Sequence, residues 1–234
     1  MRPSKKGKVV ISKNGPYLVS GGLPLSKQII LVGRDNEPES WMEGDRYPAQ
    51  EEYSLCRCGG SKEKPFCDGS HIKKRFYGKE TASALPYLDV AIRVTGEDLV
   101  LTDAEDLCAG ARFCHKGRGT WEIVESSEDD EEKGIAIDSA MKCPSGRLVI
   151  WDKRSNEPLE PDYEPSIGII EDPQEEVSGP IWVRGRVRIF SEEGRRYEVR
   201  NRVTLCRCGA SRNKPFCDGG HRRIRFNDGD RSLG

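Results

Sequence analysis

One seventeen-residue segment occurs twice in this chain, and both copies carry the same reactive side chains. The copies are LCRCGGSKEKPFCDGSH at residues 55–71 and LCRCGASRNKPFCDGGH at residues 205–221. Upstream of each copy, GPYLVSGGLPL from Gly15 is similar to GPIWVRGRVRI from Gly179. A long repeat of this kind indicates duplicated structural units. We therefore predict two related modules, each made of a strand, a hairpin of variable length and a cysteine-rich loop.

Each copy presents three cysteines and one histidine at fixed spacing: Cys-x-Cys, eight residues, Cys, three residues, His. The candidate ligands are Cys56, Cys58, Cys67 and His71 in the first copy and Cys206, Cys208, Cys217 and His221 in the second. Two cysteines at alternate positions of an extended segment project from one face. Pro65 and Pro215 suit the first position of a short helix that places the third cysteine and the histidine on one face. The spacing therefore predicts a metal centre in each module.

Two kinds of metal centre are compatible with three thiolates and one imidazole. A tetrahedral zinc site uses the same residue types, although zinc knuckles usually separate the first two ligands by two to four residues. A separation of one residue between the first two cysteines suits a metal group larger than a single ion, which favours an iron–sulfur cluster. Asp68 and Asp218, next to the third cysteine, are candidates to cap the following turn through their carboxylates.

The pattern C-x-C-x2-S-x3-P-x-C-D-G-S-H resembles the signature of the CDGSH or NEET family of iron–sulfur proteins. The first copy matches it throughout, and the second departs only at Gly220. The resemblance implies a 2Fe-2S cluster in each site, held by the three Cys and the His of that copy. It also implies a fold in which two modules pair through intertwined β-strands. With two copies on one chain, we expect an intramolecular pseudo-two-fold pair and a monomer, with a homodimer as the alternative.

The histidine in each site predicts particular redox behaviour. A neutral imidazole in place of one thiolate makes an oxidised cluster less negative, which raises its reduction potential. Histidine as a residue type ordinarily titrates near physiological pH, so electron uptake at the two sites, which contain His71 and His221, is expected to be coupled to a proton. Protonation competes with the metal for the imidazole, and both clusters are expected to become labile as the pH falls.

Three further cysteines lie between the two copies. Cys108, Cys114 and Cys143, the last followed by Pro144, fit a ferredoxin run C-x2-C-x2-C with a remote Cys-Pro, except that Ala111 occupies the middle position. Three thiolates suit a 3Fe-4S cluster or a 4Fe-4S cluster with one non-cysteine ligand. His115 is a conceivable fourth ligand, and three buried thiols without a metal are the alternative.

The segments DLCAGARFC and AMKCPSGRLVIWD, which contain these three cysteines, resemble the divergent single-cluster 4Fe-4S ferredoxin-like domain that is sometimes fused to CDGSH modules. DVAIRV and LVLTD predict a hairpin, GIAIDSAMKC a short helix, and RLVIWD a returning strand. The fold class is therefore mainly β with a small α+β insert. We predict three domains, at residues 1–82, 83–161 and 162–234.

Three polar segments are predicted to lack regular structure. RDNEPESWMEGDRYPAQ (residues 34–50) is rich in Pro, Gly and acidic residues and is predicted to be a loop. The acidic run ESSEDDEEK (residues 125–133) is predicted to be a solvated loop. The Pro- and Glu-rich stretch at residues 156–180 is predicted to be a semi-rigid linker.

Composition narrows the function classes. At 35% hydrophobic and 33% charged residues, the chain is predicted to form small modules with small hydrophobic cores. Nine Cys without a secretory leader suggest that bound metal, rather than disulfides, stabilises these modules. No stretch approaches the ~18 apolar residues of a membrane span, so a cytoplasmic protein without membrane contact is expected. The net charge of -1, without a concentrated basic face, argues against nucleic-acid binding.

The sequence offers no substrate site: it has no Gly-rich nucleotide loop, no catalytic triad outside the ligands and no paired-carboxylate pocket. We therefore expect a non-enzymatic protein that transfers electrons, or that transfers or stores iron–sulfur clusters. Its partner would be a redox protein or a cluster acceptor. The alternative is a structural zinc adaptor whose modules present β surfaces to other proteins.

Overall fold

The computed structural model describes residues 7–233; residues 1–6, which we assigned to the first module, and residue 234 lie outside the described part. The strands are β1 (Lys8–Ile11), β2 (Tyr17–Ser20), β3 (Leu25–Val32), β4 (Pro38–Arg46), β5 (Glu52–Leu55), β6 (Ile92–Thr95), β7 (Leu99–Asp103), β8 (Leu148–Asp152), β9 (Pro158–Leu159), β10 (Ser166–Asp172), β11 (Val177–Arg184), β12 (Arg188–Phe190) and β13 (Arg202–Leu205). The α-helices are α1 (Ser70–Lys73), α2 (Tyr87–Val90), α3 (Thr120–Ser126), α4 (Asp130–Lys142) and α5 (Gly220–Arg223). Single 3-10 turns lie at Glu105–Leu107, Phe113–His115 and Arg231–Leu233.

The two repeated modules exchange strands. The first sheet has the order β12-β1-β2-β5, and the second has the order β13-β11-β10-β3-β4. Strand β12 of the second module runs parallel to β1 of the first, with Val9 opposite Ile189. Reciprocally, β3 of the first module runs parallel to β10 of the second, with Lys27 opposite Ile169. The intertwined pair expected from the resemblance is confirmed, and it closes within one chain.

One apolar core joins the two exchanged sheets. In β1 and β2 every second side chain is buried, which is the alternation of a sheet with one covered face. Both modules contribute to the core, which includes Val9, Ile11, Tyr17, Val19, Leu55, Ile167, Ile169, Ile181, Val183, Ile189, Val203 and Leu205. The modules are therefore parts of a single packing unit.

The predicted loop at residues 34–50 is wrong over most of its length. Residues Pro38–Arg46 form strand β4, which pairs antiparallel with β3 along the edge of the second sheet. Trp41 anchors this strand, because its ring packs against Trp182 at 4.7 Å and Phe113 at 5.1 Å between centroids. The polar composition reflects an edge strand in which Glu39, Met42, Glu43, Asp45 and Arg46 are exposed to solvent.

The predicted linker at residues 156–180 is also wrong in its second half. SIGIIED forms β10, the central strand of the second sheet, with Ile167 and Ile169 at most 1% exposed. The prolines that suggested a linker precede this strand or follow it. An apolar run of this length is sufficient for a central strand once two partner strands are available.

The intervening region forms its own sheet, in the order β6-β7-β8-β9, packed against α3 and α4. The predicted hairpin of β6 and β7 and the returning strand β8 are confirmed. The acidic run is not a loop throughout, since α4 begins at Asp130 and the Asp129 carboxylate accepts the N–H groups of Glu131 and Glu132. Acidic side chains stabilise the first turn of a helix, which explains this start. None of the helices between residues 7 and 233 combines the length and the apolar composition that a bilayer crossing requires.

Candidate metal centres

The first site lies where β5 ends. Cys56 and Cys58 follow this strand directly, and their Sγ atoms are 3.9 Å apart. The chain then turns back, and Cys67 is held by its N–H, which donates to the Ser54 carbonyl at 2.9 Å. The Cys67 Sγ lies 3.4 Å from the His71 Nδ1. The four predicted ligands of the first copy therefore form two close pairs on one loop.

The second site repeats this arrangement at the end of β13. The Sγ atoms of Cys206 and Cys208 are 3.7 Å apart, and the Cys217 Sγ lies 3.4 Å from the His221 Nδ1. The Cys217 N–H donates to the Thr204 carbonyl at 2.9 Å, as in the first copy. The identical sequence spacing thus produces the same loop geometry twice.

The two pairs within each site do not meet at a single point. Within residues 7–233, the one group of three or more Cys, His, Asp or Glu ligand atoms lying within 4.8 Å of one another is Glu171, Asp228 and Asp230. No three ligand atoms of either Cys3His site meet this condition. Around one tetrahedral zinc ion with bonds of ~2.3 Å, all four ligand atoms would lie within about 4 Å of one another. Each pair can hold one metal ion, so the arrangement fits two ions better than one.

The predicted helix start at Pro65 and Pro215 is wrong. Helices α1 and α5 begin only at Ser70 and Gly220, after a glycine with positive φ, and the third cysteine precedes the helix. The proline segment is instead held beside the preceding strand, because Leu55 bridges Phe66 and Leu205 bridges Phe216. The third cysteine and the histidine are brought together by this turn rather than by one helical face.

Asp68 and Asp218 hold the turn that carries the third cysteine. The Asp68 carboxylate accepts the N–H groups of Lys62 and Ser70, both at 2.9 Å. These hydrogen bonds hold the pKa of Asp68 well below its usual range. Asp218 makes the equivalent bonds to Arg212 and Gly220. Each carboxylate therefore holds the turn in front of the helix, but the N-cap residues are Gly69 and Gly219 and within residues 7–233 no side chain caps either helix, so the expected capping role is not confirmed.

The sulfur atoms of both sites lie in surroundings suited to thiolates that carry metal. Three of the sulfur atoms accept a main-chain N–H group at an N···Sγ distance of 3.4 Å. The N–H of Gly60 donates to Cys58, that of Ala210 to Cys208 and that of Gly219 to Cys217. Burial raises the pKa of the Cys217 thiol well above its usual value. Several buried thiols cannot ionise together unless a positive charge compensates them. A bound metal group supplies that charge, so the donor set fits one.

Arg57 and Arg207, between the first two cysteines of each site, are 2% exposed. Arg57 donates to the carbonyls of Ser12 and Gly78. Arg207 instead pairs with the Glu171 and Asp228 carboxylates. We did not single out these arginines from the sequence, although their presence in both copies of Cys-Arg-Cys was a usable signal.

The two cluster loops touch each other through their main chains. Gly59 has φ 69°, and a Cβ placed on it would lie 2.5 Å from the Cys208 carbonyl oxygen. A Cβ placed on Gly209 would likewise lie 3.0 Å from the Cys58 carbonyl oxygen. Tyr17 adds a bond between the modules, since its hydroxyl donates to the Cys206 carbonyl at 2.8 Å. Glycine at these positions lets the two sites approach closely.

The three cysteines of the middle site line one cavity together with Arg147 and Phe113. Cys108 follows a 3-10 turn, Cys114 lies in the next one, and Cys143 follows α4. Burial, with Cys143 and Cys108 close by, raises the pKa of Cys114 to about 12. The Arg147 guanidinium offers a cation to this group of thiols and is itself fixed by Asp103. The structure thus places the three predicted ligands around one cavity; their sulfur atoms do not all lie within 4.8 Å of one another, which suits a cluster better than a single ion.

His115 does not belong to this cavity. Its side chain is exposed, and it is absent from the cavity lining, which includes the neighbouring Cys114. Adjacent residues in a 3-10 turn point in different directions, which explains the separation. Ala111, at the position of the missing ferredoxin cysteine, does line the cavity.

The middle site lies against the second site. His221 shares a small cavity with Ala109, Gly110 and Pro144, which flank the cysteines of the middle site. A Cβ placed on Gly219 would lie 3.5 Å from the Cys108 carbonyl oxygen. Burial, assisted by Arg207 and Arg222, lowers the pKa of His221 to about 3. The second site is therefore enclosed between the first site and the middle site.

Comparison with known protein families gives matches for all three sites. Residues 14–72 and 178–222 match the family model described as iron-binding zinc finger, CDGSH type. Residues 94–153 match the family model described as divergent 4Fe-4S mono-cluster. No curated protein and no solved structure matches the chain. The matched segments contain every predicted ligand.

Proposed function

Because the chain is a CDGSH-type iron–sulfur protein with a divergent 4Fe-4S domain between its two modules, we propose that it transfers electrons or iron–sulfur clusters. In this proposal each CDGSH site binds a 2Fe-2S cluster and the middle site binds a 4Fe-4S or a 3Fe-4S cluster. Bound clusters supply one-electron redox centres, and three of them on one short chain suit transfer to another protein.

One observation carries the assignment of 2Fe-2S clusters. In both sites the ligands form two pairs, Cys with Cys at 3.9 Å and 3.7 Å, and Cys with His at 3.4 Å. The pairs are too far apart to share one ion. Two irons, each held by one pair, match this spacing, whereas a single zinc ion leaves one pair without a metal.

The side chains around each site have definite roles in this proposal. The N–H groups aimed at Cys58, Cys208 and Cys217 stabilise negative sulfur. Arg57 and Arg207 each stand between two ligands in the sequence, and Arg147 places a cation beside Cys108 at the middle site. Polar and charged groups that surround metal ligands orient them and adjust the potential of the bound group.

Other features support the wider proposal. No disulfide joins any of the nine cysteines, all of which lie within residues 7–233, and this suits a reducing compartment such as the cytoplasm. The strand exchange within one chain supports a monomer. We propose a non-enzymatic role, with a redox protein or a cluster acceptor as the partner.

The test is to purify the protein without oxygen and to measure iron, sulfide and zinc together with its absorption and EPR spectra. We expect charge-transfer bands, two 2Fe-2S signals after reduction and one further signal from the middle site. A colourless protein that contains only zinc would reject the proposal in favour of a structural zinc adaptor.

A further inference from the structure

The two CDGSH sites differ in their access to solvent, although their ligand geometry is the same. In the second site Cys217 is 2% exposed and His221 is 4% exposed, under the loop that carries Cys108. In the first site Cys67 and His71 are both partly exposed. An external protein can therefore approach the first site directly, whereas the middle domain covers the second.

The basic segment after each histidine also differs between the copies. In the second copy the cations are neutralised within the protein: Arg222 pairs with Glu175, Arg223 with Asp218 and Arg225 with Glu176. In the first copy Lys73, Lys74 and Arg75 are exposed, and across residues 7–233 none of the three forms an ion pair. The segment after the histidine therefore has its cations paired with carboxylates in the second module, whereas in the first module its cations are exposed and unpaired among the described residues.

Two large apolar side chains lie within this cationic segment. Ile72 is 74% exposed and Tyr77 is 71% exposed. At the corresponding positions of the second copy the chain has Arg222 and Asn227, and the exposed apolar side chain in that segment is Ile224, at 52%, in place of Lys74. Apolar and aromatic side chains surrounded by charge are typical of protein–protein interfaces.

We propose that this surface, Ile72, Lys73, Lys74, Arg75 and Tyr77, is the docking face for an acidic redox protein; we call it the His71 face. The proposal rests on the proposed function, because it takes the first site to be the redox centre that the docked protein approaches. Uncompensated cations beside that centre attract and orient a partner with a negative surface. The second site has no such face and serves as an internal centre between the first site and the middle site.

The test uses an acidic plant-type ferredoxin as the probe and the full chain purified with its metal. We expect salt-sensitive binding, and we expect carbodiimide, which joins lysine amines to carboxylates, to link the probe to Lys73 or Lys74. Replacing two charges in the double variant Lys73→Gln, Arg75→Gln should weaken binding about tenfold. The matched control, Arg223→Gln with Arg225→Gln, removes the same charges at the equivalent positions and should change binding by less than about twofold.

The outcomes separate this proposal from the proposed function. Iron, sulfide and zinc contents are measured first for all three proteins, and a wild-type protein with zinc alone would reject both proposals. Normal cluster content with no binding to the ferredoxin, or with equal binding by the two double variants, would overturn the docking face alone. Preferential binding of single-stranded DNA or of anionic phospholipid vesicles by the same face would also overturn the assignment to a protein partner.

Discussion

Arg207 donates to the Glu171 carboxylate in an ion pair whose side chains are at most 2% exposed. Asp228 is a second carboxylate partner of this arginine. Arg57, the equivalent residue of the first site, contacts carbonyl groups and lies near the rings of Tyr17 and Phe76. The second site therefore has two buried acidic groups near its ligand loop, and the first site has a buried cation without a carboxylate partner among residues 7–233.

This difference predicts unequal reduction potentials. Reduction adds negative charge, so nearby carboxylates lower the potential of the second site, and burial acts in the same direction. We expect Glu171→Gln to raise that potential. A unit charge ~10 Å away, at an effective dielectric constant of ~20–40, shifts a potential by about 35–70 mV. An EPR-monitored redox titration measures the shift for each site separately.

The effect of Glu171 should depend on pH. Burial raises the pKa of Glu171 to about 7, more than Arg207 lowers it. The carboxylate is charged above this pKa and neutral below it, so Glu171→Gln should raise the potential at pH ~8 and have little effect at pH ~6. Glu176→Gln is the control, because Glu176 is exposed and its effect is screened. Equal shifts at both pH values would contradict a titrating Glu171.

Tyr17 of the first module supports the loop of the second site. Its side chain is fully buried, and its hydroxyl donates to the carbonyls of Cys206 at 2.8 Å and Pro215 at 3.1 Å. Tyr17→Phe leaves both carbonyls without this donor, and we expect the free energy of unfolding to fall by about 1–2 kcal/mol. Loss of metal from the second site to a chelator should also become faster.

Tyr53→Phe is a matched control for this change. The Tyr53 hydroxyl donates to the Leu23 carbonyl at 2.9 Å, which is outside the ligand loop of the second site. It should lower the free energy of unfolding in urea by a similar amount without accelerating metal loss from the second site. If both variants released metal at the same rate, the support from Tyr17 would be a general effect of stability.

The inserted strand β4 predicts a further stability effect. The Trp41 ring contacts Trp182 and Phe113, and its indole N–H donates to the Lys142 carbonyl at 3.0 Å, so one side chain joins the second sheet to the middle domain. Trp41→Ala should reduce the free energy of unfolding by about 2–4 kcal/mol, as measured by urea denaturation. Met42→Ala, on the exposed face, should change it by less than about 0.5 kcal/mol. Similar losses in the two variants would refute this role.

The repeated spacing indicates which candidate ligands lie near each other, and the structure brings them together as Cys–Cys and Cys–His pairs. Cys56 and Cys206 begin identical patterns, and local turns are sufficient to bring each group together. The strand exchange was expected only from the resemblance. The interior strand at Ile167–Ile169 was missed because Pro and Glu residues flank it, and its stability depends on pairing with β3, far away in the chain. Strand formation depends on such distant neighbours more than helix formation does.

The difference between the two CDGSH sites could not be predicted for a related reason. Glu171 and Asp228 lie outside the repeated segment, and only folding brings them to Arg207. The enclosure of His221 likewise depends on the docking of the middle domain beside Gly219. A repeated motif specifies the ligands of each site, whereas the surroundings come from parts of the chain that do not repeat.

The middle site gives a prediction that separates its thiols from its neighbouring histidine. Cys108 lines the cavity with Cys114 and Cys143, whereas the His115 side chain is exposed and lies outside it. With the proposed clusters bound, Cys108→Ser should remove the EPR signal of the middle site and leave both 2Fe-2S signals, because serine replaces a proposed thiolate ligand. His115→Ala should leave all three signals unchanged. A middle signal lost in His115→Ala would make His115 a ligand, and an unaltered spectrum in Cys108→Ser would refute a third cluster.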